Sequence, residues 1–224
     1  MDFEQSPDRI VGTAAVGSGG GRQKKAPVPV KIIVAGGFGV GKTTMVGSVS
    51  EIRPLQTEEV LTGAEGADDV SGVETKTTTT VTMDFGRITI TEDLQLYLFG
   101  TPGQDRFWFL WDELSQGALG AVVLADTRRL ADCFPSIDYF EQRGTPFVVA
   151  VNTFDGQAAF DLDEVRWALA VNDRVPVVAF DARLRTSVRD ALLVVLEQAL
   201  DDVLRTETEA DTGPPVPGAA EPLL

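Results

Sequence analysis

A single cysteine, Cys133, stands among 224 residues, which excludes an internal disulfide and leaves the thiol as a small packing residue. Long apolar runs are missing too: none approaches the ~18 residues of a membrane span. Positive charge is scarce. Lysine and arginine number 19 against 34 aspartates and glutamates, a net charge of −15, which argues against nucleic acid and anionic membrane as partners. The opening Met1-Asp2-Phe3-Glu4 lacks the basic-then-apolar order of a secretion signal, and neither end carries a lipidation motif. A cytoplasmic protein without membrane insertion is expected.

What the chain does contain is 43% apolar residues, enough for one sizeable α/β core, and a distinctive glycine loop. Gly36-Gly37-Phe38-Gly39-Val40-Gly41-Lys42-Thr43 fits the phosphate-loop pattern G-x-x-x-x-G-K-[ST]. It follows the β-branched run Val30–Ala35 and precedes a helical pattern at Met45, Val46, Val49 and Ile52. A triphosphate needs inward-pointing backbone N–H groups and a helix N-terminus aimed at it, and glycines let the backbone approach. Lys42 is expected to reach the β- and γ-phosphates, Thr43 to ligate Mg²⁺, and Thr44 to line the same cradle. With so negative a chain, local cations and Mg²⁺ must hold the phosphates against the global field.

Residues 1–29 and 205–224 read as disordered tails around one domain over 30–204. Strands are expected at 30–35, 79–85, 87–91, 94–99, 119–125, 146–151 and 175–180, with a bent or hairpin-like region around Gly86. Helical patterns cover about 43–52, 105–116, 130–142, 162–171 and 186–204. Strand–loop–helix repetition predicts a three-layer α/β fold, a mainly parallel sheet with helices on both faces. Ligands in such sheets bind at the carboxyl ends of the strands. Residues 53–78, acidic and aperiodic, read as a long loop, where a γ-phosphate sensor would lie.

Three more segments follow strands. Gly100-Thr101-Pro102-Gly103-Gln104 places the Gly103 N–H where a γ-phosphate would be met and Gln104 where a water would be oriented; an ordinary Pro-Gly turn fits as well. In Asn152-Thr153-Phe154-Asp155 the last carboxylate can accept from the guanine N1–H and N2–H₂ edge, while Asn152 ties that edge to the phosphate loop. Asp181-Ala182-Arg183 offers the Ala182 N–H to guanine O6.

Together these elements resemble the Ras-like small GTPases of bacteria, in the branch of the gliding-polarity GTPases and, more closely, the conservon-type GTPases of actinobacteria. Thr77–Gly86, Leu98–Gln104 and Val151–Gly156 carry the likeness, which spans roughly residues 28–204. It implies the phosphate-loop GTPase fold, a GTP/GDP switch with Mg²⁺, slow hydrolysis, and a roadblock-type regulator at the switch loops. Thr80 is chosen among Thr77–Thr80 as the second metal ligand. Four positions depart from the pattern: Gly100 replaces the usual aspartate, Thr153 the base-covering lysine, and Asp181 and Arg183 the flanks of the Asp181-Ala182-Arg183 segment. Gly100 therefore predicts a missing support for Mg²⁺, and no arginine beside Thr80 can serve in cis. A non-catalytic nucleotide-gated adaptor is the rival reading; an ATP-binding module is a third, which Asp155 opposes.

Phe107-Trp108-Phe109-Leu110-Trp111 is too apolar for one helix face, so some of it is expected to be exposed, as packing surplus or as a partner patch. Arg128-Arg129 reads as surface charge.

Overall fold

The computed structural model describes residues 26–53, 55–61, 79–103, 109–154 and 160–211. Seven strands form one sheet: β1 Val28–Gly36, β2 Leu55–Leu61, β3 Thr79–Thr91, β4 Leu94–Gly100, β5 Gly120–Ala125, β6 Phe147–Asn152 and β7 Val177–Phe180, in the order β2-β3-β4-β1-β5-β6-β7. β1 pairs in parallel with β4 and β5, and β5–β6 and β6–β7 are parallel, whereas β2–β3 and β3–β4 are antiparallel. The expected mainly parallel sheet is present.

Helices α1 Lys42–Val49, α2 Phe109–Ser115, α3 Phe134–Arg143, α4 Leu162–Leu169 and α5 Arg185–Asp211 cover it. Alternation along β1 explains the layers. Ile32 and Val34 point into a core with Met45, Val46 and Val49 of α1 and Val188, Leu192 and Val195 of α5. Ile33 and Ala35 point oppositely, toward Trp111 of α2, Ile137 and Phe140 of α3, and Val165 and Leu169 of α4. Strands buried on both faces read as continuous apolar runs, as β5 and β6 do.

Four expectations need correction. β3 is one strand through Gly86, not a hairpin; a Cβ there would lie 2.7 Å from Val46 Cγ1, so α1 packs directly on bare backbone. Leu55–Leu61, read as loop, is edge strand β2, while 62–78 lies outside the described residues. The helix expected at 130–142 begins as a 3₁₀ segment, Thr127–Cys133, and turns α-helical at Phe134, with Pro135 in the first turn where its missing N–H costs nothing. At the ends, β1 starts at Val28 and α5 runs on to Asp211, so ordered structure reaches into both segments read as tails.

Candidate nucleotide-binding site

β1 ends in the glycine loop at the carboxyl edge of the sheet, and α1 starts at Lys42. Gly41, the residue before it, has φ +112°, a left-handed conformation that a side chain would strain, and a Cβ there would come within 2.7 Å of Asn152 Nδ2. The first α1 bond runs from Met45 N to Gly41 O at 2.8 Å, so the amides just before it have no carbonyl partner within the helix. Lys42 folds back over the loop: Nζ donates to Gly36 O at 2.8 Å and to Gly37 O at 2.7 Å. An ammonium has three N–H groups, so one remains for an anion. Burial lowers the Lys42 pKa from 10.5 to about 8, against an opposing pull from the Asp84 charge.

Asp84 is the functional candidate that the sequence reading missed. It lies buried on β3, directly opposite Gly100 of β4 in the ladder. Thr43 Oγ1 donates to its Oδ2 at 2.6 Å. A Cβ on residue 100 would stand 3.0 Å from Asp84 Cβ, so Gly100 leaves the room that this carboxylate fills. An acid absent from position 100 itself thus stands directly across from it, on the neighbouring strand. Its Oδ1 is buried without a hydrogen-bond partner, an orphaned acceptor in want of a cation or water.

Asn152, at the end of β6, joins the other elements. Its Nδ2 donates to Val40 O at 2.9 Å, and its Oδ1 accepts from Ala182 N at 3.1 Å. The Ala182 N–H expected at guanine O6 is thus given to Asn152. Thr153 is pinned to the end of β7, its N and Oγ1 both donating to Phe180 O. Asp181 and Arg183 bind each other in a two-pronged ion pair, which keeps the Asp181 carboxyl below its ordinary pKa.

Gly36 through Thr44, Gly103, Asn152, Thr153 and Ala182 therefore gather at one edge. Gly103 sits over the loop: a Cβ on it would meet Lys42 Nζ at 2.7 Å and Phe38 Cα at 3.1 Å. Phe38 itself is exposed. A cleft of about 480 Å³ beside the loop is lined by Gly37, Phe38, Pro102, Gly103, Asp132 and Ser136 among others. Thr80 is not brought to Thr43. It pairs with Val60 four residues before Asp84, about 13 Å away along β3, because the β2–β3 ladder runs past the site. Gln104 and Asp155 lie outside the described residues, as do Phe107 and Trp108; Phe109 is exposed, and Leu110 and Trp111 are buried.

A family model described as "Conserved hypothetical ATP binding protein" matches residues 34–208, from β1 through the phosphate loop, β6 and α5. The chain belongs to this family. An uncharacterized protein of Methanocaldococcus jannaschii is 30% identical over 128 residues, 56% of this chain and 71% of its own length. Among solved structures, the cytosolic domain of the T. maritima FeoB iron transporter in a GDP form is similar at TM-score 0.54 and 17% identity, over 77% of this chain and 64% of that one. The FeoB G-domain of Methanococcus jannaschii is similar at TM-score 0.50 and 14% identity, over 76% of this chain and 97% of that one. The chain spans under two thirds of the transporter's cytosolic domain. These likenesses establish a phosphate-loop, GTPase-like fold, and the family match a nucleotide-binding protein. They bear out the phosphate-loop, GTPase-like part of the likeness read from sequence and do not reach its conservon-type or gliding-polarity branch. No helix among the described residues is long and apolar enough to cross a membrane.

Proposed function

We propose that residues 30–204 act as a guanine-nucleotide switch that binds GTP and GDP with Mg²⁺ and hydrolyses GTP slowly. The observation that carries this is the Asn152 side chain, which holds the phosphate loop at Val40 O and the Asp181-Ala182-Arg183 segment at Ala182 N in one grip. A strand-end asparagine tying the base edge to the phosphates is what the Asn152–Asp155 element was expected to supply, with Asp155 accepting from the two donors that adenine lacks.

The residues present fit a divalent cation. Mg²⁺ favours one or two carboxylates or hydroxyls beside phosphate oxygens and water, and Thr43, Asp84 and the orphaned Asp84 Oδ1 offer that set. Thr43 and Asp84 would hold it, directly or through water. When bound, it supplies charge for the β- and γ-phosphate oxygens. Lys42 adds its third N–H, and the loop amides add theirs. The Gly103 N–H would meet the γ-phosphate and Gln104 would orient water. Thr80 reaches this centre only if β2 and the start of β3 shift, the kind of rearrangement that lets a γ-phosphate be sensed. A roadblock-type regulator reading 53–80 and 100–113, with exposed Phe109 as an anchor, belongs to the same proposal.

The adaptor reading is favoured by Gly100 and by the lack of an arginine beside Thr80 in the sequence; the Asp84 carboxylate opposite Gly100 weakens the first of these supports. An ATP-binding module is favoured by the family's description and is the rival to test. Single-turnover phosphate release from protein loaded in turn with GTP and ATP distinguishes the three. Release from GTP alone supports the switch, release from ATP the module, and tight binding without release the adaptor.

A further inference from the structure

Arg128 and Arg129 are sequence neighbours that the fold sends to opposite halves of the site. Asp126, at the end of β5, caps the 3₁₀ segment by accepting the Arg128 N–H at 2.9 Å, and it also grips the Arg128 guanidinium. That guanidinium lies over the ring of Phe154, 3.9 Å from its centroid, on the base side. At Arg129 the backbone leaves the helical region, φ −145° and ψ 54°. The Arg129 side chain goes to the phosphate loop instead, where Nη2 donates to Phe38 O at 2.7 Å. Asp132 then closes on Gly37, where a Cβ would meet Asp132 Cβ at 2.6 Å, and its carboxylate pairs with Arg129 at 3.5 Å.

We propose that Arg129 is a positioning residue of the phosphate cradle, holding the Phe38 carbonyl so that the Gly39 N–H is aimed into the loop. The two groups belong to one peptide plane. In a trans peptide they point in opposite directions, and no cis peptide occurs among the described residues. Tying the carbonyl to Arg129 therefore turns the amide away from the guanidinium. Asn152 does the same two peptides further on, since its bond to Val40 O sets the Gly41 N–H. Side chains from the 3₁₀ segment after β5 and from the end of β6 thus fix alternate peptides of one loop. Amides oriented before binding add to affinity because ordering them costs nothing at that moment. Arg129 also offsets the negative charge that Asp132 brings against the loop. The pair read from sequence as surface charge is, at Arg129, part of the cradle.

The inference rests on the loop binding a polyphosphate, and is independent of the base. The test titrates GDP, GTP and ATP with Mg²⁺ into the parent, Arg129→Ala, Arg129→Lys and the distant charge-removing control Arg205→Gln. The Gly39 amide is followed by NMR. Arg129→Ala should weaken binding of the preferred di- and triphosphate about tenfold, the effect of one charge-assisted hydrogen bond. It should also lose the shift of the Gly39 amide on nucleotide addition. Arg129→Lys should restore both in part, and Arg205→Gln should match the parent. Parental affinity and a parental Gly39 shift in Arg129→Ala would overturn the role of the arginine alone. A parent that binds no nucleoside polyphosphate would overturn the site beneath it.

Discussion

Asp84 and Gly100 face each other across β3 and β4, and the carboxylate of one fills the space that a side chain on the other would need. The acid and the Thr43 hydroxyl are thereby joined at 2.6 Å, beneath the mouth of the phosphate loop. Asp84→Asn keeps the shape and an acceptor for Thr43 while removing the charge. Nucleotide affinity in the variant should lose most of its dependence on Mg²⁺, a drop of about 10–100-fold at saturating metal. Calorimetric titration with and without Mg²⁺ checks this; an unchanged metal dependence would remove Asp84 from the site.

Gly100→Ala approaches the same contact from the other side. Its methyl would sit 3.0 Å from Asp84 Cβ, tighter than ordinary packing, so the carboxylate must shift. We expect weakened Mg²⁺-dependent binding with a folded protein. Parental titration curves would show that β3 yields without cost.

Lys42 makes binding pH-dependent. Its pKa of about 8 in the free protein arises from burial, and phosphate favours the charged ammonium. Affinity should therefore fall as pH rises above about 8, and binding near pH 8.5 should take up a proton. Titration calorimetry in two buffers of different ionisation heat measures the uptake; zero uptake contradicts the assignment. The sign for folding is opposite. Between about 8 and 10.5 the unfolded chain binds more protons at this lysine, so its penalty on stability is relieved as pH rises.

The strand–loop–helix around Lys42 was legible because it is local: β-branched run, glycines and helix pattern are contiguous in sequence. β2 was not. Gln56, Thr57, Glu58 and Glu59 interrupt its apolar residues, as befits an edge strand partnered on one side only, where charge discourages further pairing. Asp84 was hidden for a different reason. Its meaning depends on the register that sets it against Gly100, and register between strands cannot be read from one of them. A lone acid within Val81-Thr82-Met83-Asp84-Phe85 was the available signal. Arg129 owes its direction to its own non-helical backbone inside the 3₁₀ segment, ahead of the helix expected at 130–142, a feature that no periodicity displays.

Phe140 tests the core beneath the site. It is fully buried and packs against Trp111, Tyr139 and Phe147. Phe140→Ala should cost about 3–5 kcal/mol by chemical denaturation. A loss below about 1 kcal/mol would contradict the packing of α3 on the sheet.

The most direct test of the central claim is equilibrium competition of GTP, GDP and ATP for the Mg²⁺-loaded protein, with Asp155→Ala alongside. A site that pairs with donors found only on guanine should prefer GTP and GDP over ATP by several orders of magnitude, and Asp155→Ala should collapse that preference. Equal displacement by ATP and GTP, or a variant with unaltered preference, would contradict the guanine switch.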